Sequence, residues 1–214
     1  MRIGVLGSGE VGRTVAAGLA AAGHEVVLGT RDPTSADLLD WSGSAEVPLA
    51  TPADAATHGE LLVNATPGTA SAQALADAGA DELDGTVLLD LANPLDFSGG
   101  FPPSLSVSNT DSLAETLQRR FPSLRVVKAL NTVNSDVMVD PGLLAEPSAI
   151  FVAGDDADAK AAVSGVLRSL GWQSDQIVDL GGVSAARGTE AYLLLWLGLM
   201  GAVGTGRFNI RVVR

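Results

Sequence analysis

Short apolar runs alternate along the chain with amphipathic or alanine-rich stretches, and each run is closed by Gly, Pro, Asn or Asp. Strands buried on both faces are apolar throughout, whereas the helices that cover them keep one polar side, so this alternation builds a parallel sheet between helical layers. Strands are expected at Arg2–Leu6, Glu25–Leu28, Val47–Ala50, Leu61–Ala65, Thr86–Leu91, Arg125–Ala129, Ala149–Ala153 and Gln176–Leu180. Helices are expected at Val11–Ala22, Pro52–Ala56, Ser71–Ala80, Ser112–Phe121, Ala157–Leu170 and from Ala185 to Val203. The fold class is α/β. The Gly/Pro-rich stretch Phe97–Ser104 reads either as a mobile flap or as a surface excursion.

Gly7-Ser8-Gly9-Glu10-Val11-Gly12 fits G-x-G-x-x-G. The motif alone is weak, but here it directly follows an apolar strand and opens an alanine-rich helix, where bare backbone and a helix N-terminus meet a pyrophosphate. Gly7 permits the tight turn, Gly9 admits the diphosphate and Gly12 lets the helix pack on the strand. The expected architecture is a Rossmann-type doubly wound sheet with a small C-terminal α/β extension. Residues 1–133 are read as the dinucleotide-binding domain and 134–214 as a lobe for a second-substrate pocket and a dimer contact.

The tip of the second strand faces the adenosine ribose. Counting about 20 residues past the motif reaches Asp32, which would grip a ribose 2′-hydroxyl. The strand ends at Gly29-Thr30, however, and Pro33 already turns the chain behind Asp32. Thr30 and Arg31 offer a hydroxyl and a planar fork of donors, which suit a 2′-phosphate. NADP is therefore expected over NAD.

Further strand ends border the nicotinamide half of such a site: Ala65-Thr66-Pro67 and Ala92-Asn93-Pro94, each with a proline that stiffens the turn. Asn131, Thr132 and Val133 follow the next strand, where polar side chains either line a second-substrate pocket or cap the next segment. No catalytic side chain is assigned. There is no G-x-S-x-G elbow, His24 reads as structural, and His58 is placed in a loop. Asp155-Asp156-Ala157-Asp158 resembles a calcium loop but lacks its turn glycine, so it reads as a helix N-terminus and no metal site is expected. Hydride transfer by positioning, with the chemistry carried by cofactors, fits best.

Composition narrows the partners. Thirteen Lys+Arg against 25 Asp+Glu leave a formal charge of −12, which disfavours nucleic acid and anionic membrane surfaces. The absence of cysteine removes disulfides and thiol chemistry. The N-terminal apolar run is too short and glycine-broken for a signal peptide, and a cytoplasmic location is expected. Glu190–Val203 is apolar on more faces than a sheet-covering helix needs. A two-fold contact between copies or an enclosed substrate pocket would bury the excess, and a homodimer is expected.

Taken together, these residues resemble the NADPH-dependent oxidoreductases of the deazaflavin coenzyme F420, whose fold is shared by the cytosolic domains of six-transmembrane metalloreductases. The resemblance rests on the glycine loop, Gly23-His24-Glu25 leading to Gly29-Thr30-Arg31, and Ala65-Thr66-Pro67. It continues through Asn93-Pro94, Val127-Lys128-Ala129-Leu130-Asn131-Thr132, Gly154-Asp155-Asp156 and Ile210-Arg211-Val212-Val213. It implies NADP at the glycine loop, its 2′-phosphate on Thr30 and Arg31, a deazaflavin stacked on the nicotinamide, and a homodimer. The family's deazaflavin enzymes carry His at the Asn131 position and a bulky aromatic at Gly68. The run Lys128–Thr132 is closer to the metalloreductases, whose acceptor is an ordinary flavin. Hydride exchange between NADPH and F420 is the leading expectation. An NADPH:flavin reductase using FMN or FAD, or a non-catalytic NADP(H)-binding redox sensor, are the alternatives.

Overall fold

The computed structural model describes residues 1–213. β1 (Arg2–Leu6) leads into α1 (Glu10–Ala21), then β2 (Glu25–Gly29), α2 (Ala36–Ala45), β3 (Leu49–Ala50), α3 (Pro52–His58) and β4 (Leu61–Asn64). The chain continues through α4 (Gly68–Asp77), β5 (Val87–Asp90), the short β6 (Leu95–Asp96) and β7 (Ser104–Leu105), α5 (Leu113–Arg120) and β8 (Arg125–Ala129). It closes with α6 (Ser135–Val139), β9 (Ile150–Ala153), α7 (Ala157–Ser169), β10 (Ile177–Asp179) and α8 (Ala186–Val203).

Among the described residues, eight strands form one sheet in the order β3-β2-β1-β4-β5-β8-β9-β10. The first six run parallel, a doubly wound arrangement whose strand order reverses between β1 and β4. β9 pairs antiparallel to β8 and carries β10 parallel beside it. The reversal accords with residues 130–149, which hold only the five-residue α6 and a 3-10 turn at Pro141–Leu143 and no long crossover helix to return the chain for parallel pairing.

Alternate residues of each central strand feed opposite layers. Val63, Leu89 and Val127 pack with Val15 and Leu19 of α1 and Val163 and Leu167 of α7. Their neighbours Leu62, Leu88 and Val126 pack with Leu75, Leu117 and Phe121 on the other side. Burial on both faces explains why β4 and β5 read as unbroken apolar runs.

The helix starts are written locally. Thr51 accepts from the Asp54 N–H with Pro52 in the first turn, Ser112 accepts from Glu115 N–H, and Asp156 accepts from Ala159 N–H. The last bond makes the acidic run at residues 155–158 a helix start, as its residue types suggested. Three elements differ from expectation. α2 has no buried residue, so no apolar stripe announces it; α6 is only five residues long. The stretch Phe97–Ser104 is the tip of a hairpin built on β6 and β7, two residues each. His58 ends α3 and its Nε2 bonds the Glu25 carbonyl, so it is not in a free loop.

Candidate functional site: a cleft at the strand ends

Ligands in open α/β sheets bind beyond the carboxyl ends of strands where the order reverses. Here a cavity of about 870 Å³ lies there, running from the glycine loop across the ends of β4, β5 and β8 to α8.

The glycine loop is built as its motif requires. Gly7 has φ +111°, and a Cβ there would lie 2.7 Å from the Ala65 carbonyl oxygen. A Cβ at Gly12 would collide with the Gly7 carbonyl, so the helix reaches the strand only as glycine. At Gly9, the residue before α1, a Cβ would meet no protein atom within 4 Å. Nothing among the described residues uses that space, and it lies at a helix N-terminus, where an anion fits. Ser8, Glu10 and Val11 line the same stretch.

At the β2 tip, Ser8 Oγ lies 3.1 Å from Oγ1 of the buried Thr30, and Arg31 is exposed at the cavity edge. Asp32 is turned to another task. Its Oδ1 accepts from the Thr34 hydroxyl at 2.6 Å and from Thr34 N–H at 3.0 Å. Those two bonds, the hydroxyl's first, hold its pKa below the ordinary carboxylate value. The edge therefore presents a guanidinium and hydroxyls.

Ala65, Thr66 and Pro67 line the middle of the cavity. Thr66 is fixed by donating to Asn64 Oδ1 at 2.6 Å and by Ser71 Oγ at 3.0 Å. Opposite them stand Ala92 and Asn93. A Cβ at Gly68 would lie 2.2 Å from the Asn93 carbonyl oxygen, so glycine lets α4 start against this loop. Pro94, expected at the cofactor site, does not line the cavity; its carbonyl accepts from Ser106 N–H at 2.8 Å.

Beyond β8 the buried Leu130 adopts φ +63°, a strained conformation for a leucine, and this turn presents Asn131 to the cavity. Val133 lines the cavity as well. Thr132 does not; it is buried, and its hydroxyl has no partner among the described residues. The far wall is largely apolar, made by Met138, Leu193, Trp196 and Phe97, with Asn134 and Ser135 from the start of α6 also lining the cavity. Trp196 is braced from behind by Phe208, ring centres 5.4 Å apart.

Beneath the β5 and β8 ends lies a buried charge cluster. Lys128 Nζ donates to Asp90 Oδ2 at 2.6 Å and to the Ala92 carbonyl at 2.6 Å, and sits 2.9 Å from Glu190 Oε1. All three side chains are buried. Burial pulls the lysine pKa down, but the Asp90 and Glu190 carboxylates outweigh it and leave the pKa above its usual value. Glu190 also accepts from Leu113 and Ala114 N–H at the start of α5.

Motif reading picked out residues 7–11, Thr30 and Arg31, all of which line this cleft, and Gly12, which does not. It did not locate the far wall or the charge cluster. Leu193 and Trp196 lie within the helix whose apolar excess was read as buried in a two-fold contact or an enclosed substrate pocket, with neither residue singled out for the pocket. For Lys128 one signal was available: a lysine amid the apolar strand Arg125–Ala129 needs buried partners.

Comparisons with known proteins agree with this geometry. The sequence model of the NADP oxidoreductase, coenzyme F420-dependent family matches residues 2–94. A crystal structure described as a candidate F420-dependent NADP reductase from Arthrobacter sp. FB24 is 51% identical, with a TM-score of 0.96 over 100% of both chains. The chain belongs to the F420-dependent NADP oxidoreductase family. The F420-dependent NADP reductase of Methanothermobacter marburgensis is 27% identical over 93% of this chain and 92% of its own. Rat metalloreductase STEAP3 is 28% identical over 89% of this chain, which spans only 36% of that protein. The protein is thus an NADP-dependent oxidoreductase with a Rossmann-type fold. Among the described residues no helix is long and apolar enough to cross a membrane.

Proposed function

We propose that the protein transfers a hydride between NADPH and the deazaflavin coenzyme F420. One observation carries the reading: the glycine loop and the Arg31 edge share a single cavity with the apolar wall of Leu193, Trp196 and Phe97. A polyphosphate cofactor suits one end and a flat apolar ring system the other. The family relatives named for F420 support that choice of acceptor.

The fit of NADP rests on the open space at Gly9 and the donors at the β2 tip. The α1 N-terminus and the Gly7–Gly9 backbone would hold the pyrophosphate, and Ser8, Thr30 and Arg31 the 2′-phosphate. Ala65, Thr66, Pro67, Ala92 and Asn93 would seat the nicotinamide. Residues 1–133 thereby supply the dinucleotide half, and α6 and α8, from 134–214, the wall against which the acceptor rests. Bound NADPH supplies the hydride. The protein's part is to bring donor and acceptor rings into contact and keep water from the gap. Reduction of F420 also takes up one proton; the carboxylates that line the cavity are Glu10, beside the glycine loop, and Asp77, at the end of α4, and among the described residues no His or Lys lines it. Solvent entering the cavity supplies that proton. The chain is further proposed to pair as a homodimer through the exposed side of α8.

An acceptor panel tests the assignment: purified protein with NADPH or NADH and F420, FMN, FAD or a quinone, followed optically. Rapid NADPH oxidation with F420 is expected. Transfer to FMN or FAD in its place would make the protein a flavin reductase, and NADPH binding without transfer to any acceptor would make it a redox sensor.

A further inference from the structure

An ammonium has three N–H donors, and Lys128 spends its contacts on Asp90, the Ala92 carbonyl and Glu190, each on a different structural element. Asp90 Oδ1 in turn accepts from Ala92 N–H at 3.2 Å, so both peptide groups of Ala92 are tied to the cluster. Ala92 leads directly into Asn93 on the nicotinamide side of the cleft. Glu190 lies on α8, one turn before Leu193, whose side chain faces the acceptor end. The same carboxylate holds the first N–H groups of α5, so α8 cannot slide along its axis without breaking buried charged contacts.

Such a cluster is a poor device for stability alone. Desolvating three charges offsets most of what their attraction returns, and apolar side chains of similar volume would serve as well. What it provides is a fixed distance. We propose that Lys128 is a positioning residue that sets the spacing between the nicotinamide loop at Ala92–Asn93 and the acceptor wall on α8. The inference rests on the placement of the two substrates proposed above.

The pair Arg187–Glu115 supplies a control. It also joins α8 to α5, yet neither residue lines the cleft or hydrogen-bonds Ala92. The test variant is Lys128→Met with Glu190→Gln, which removes one positive and one negative charge and so leaves the buried net charge unchanged. Glu190→Gln alone keeps the Lys128–Asp90 pair and is the milder variant if the double one folds poorly. Amide hydrogen exchange is measured without acceptor, and single-turnover transfer from bound NADPH to saturating F420 is measured beside NADPH affinity.

In the double variant, exchange should quicken together at 91–95 and 193–199, and transfer should slow by about tenfold to a hundredfold, the penalty of an ångström-scale misplacement. NADPH affinity should change by less than about threefold, since its phosphates are held elsewhere. Glu190→Gln should move the same quantities less far. Glu115→Gln should lower the melting temperature while leaving transfer and exchange at 91–95 unchanged. Loosening confined to α8, or equal slowing in Glu115→Gln, would overturn the inference. Wild-type protein that binds NADPH but passes no hydride to F420 would instead sink the functional reading, and the exchange pattern alone would then decide the role of Lys128.

Discussion

Asn93 and Asn131 hold each other across the cleft: Asn93 Nδ2 donates to the Asn131 carbonyl at 2.9 Å, and Asn131 Nδ2 donates to Asn93 Oδ1 at 3.0 Å. The pair welds the loop after β5 to the turn after β8, and the left-handed Leu130 allows the second loop to reach the first. Two amides cannot act as acid or base near neutral pH. Their contribution is geometric, in keeping with a reaction whose chemistry lies in the cofactors.

Replacing either residue by alanine breaks the same weld. Asn93→Ala and Asn131→Ala should each slow hydride transfer by about tenfold, and the double variant should lose about as much as the worse single one, because the pair acts as a unit. Multiplicative losses would show that the two side chains work separately. Abolished transfer with NADPH binding intact would reveal a catalytic group that the cleft does not otherwise display.

Discrimination between NADP and NAD is expected to reside at Arg31. A charge-assisted contact to phosphate corresponds to about one to two decades in affinity, so calorimetric titration should give NADP that margin over NAD. Arg31→Ala should erase the margin while leaving NAD binding nearly unchanged. Asp32→Ala should not create NAD preference or remove it, since Asp32 Oδ1 is already engaged by Thr34.

Which parts of this cleft were legible in the sequence follows from where their partners lie. The glycine loop is contiguous, follows a strand and opens a helix, so local rules suffice for it. The β2 tip is legible for the same reason, with Pro33 marking where the strand must end. Lys128 is not: Asp90 lies 38 positions away, and the backbone groups that share Glu190 lie 76 and 77 away from it. Only the folded sheet brings them together. α2 escaped because a helix with no buried residue carries no periodic apolar signal, and β6–β7 because two-residue strands fall below any pattern length. The reversal of β9 is likewise a property of how residues 130–149 turn, not of the strand's own residues.

Acid should loosen the junction of α5 with α8. Hydrogen bonds from Arg187, opposed by burial and aided by Ser112, hold Glu115 below its ordinary pKa, and the Arg119 hydrogen bond does the same for Asp111. A carboxylate whose folded pKa is depressed stabilises the fold above its unfolded pKa of about 4 and loses that contribution as pH falls through the folded value. The melting temperature should therefore fall progressively below about pH 4, where the unfolded chain binds more protons. Glu115→Gln should flatten part of that slope; an unchanged slope would remove Glu115 from the acid response.

The exposure of α8 bears on assembly. Glu190 is 2% exposed and faces inward, and the half-exposed Arg187 is bound to Glu115 on α5, whereas Leu194 and Leu195 are 47% and 58% exposed. A helix on a monomer's surface normally turns its apolar side to the core. Ala186, 0% exposed, and Leu193, 8% exposed, pack inward and Trp196 lines the cavity, whereas Leu194, Leu195 and Val203 face outward. An apolar strip of this kind is best buried by the same strip on a second copy across a two-fold axis. Size exclusion with light scattering should show a dimer at micromolar concentration, and Leu195→Asp should yield a folded monomer with an unchanged melting profile at low concentration. Because Leu195 does not line the cleft, that monomer should still bind NADPH. A wild-type protein monomeric at every concentration tested, with Leu195→Asp merely aggregating, would return α8 to a purely internal role.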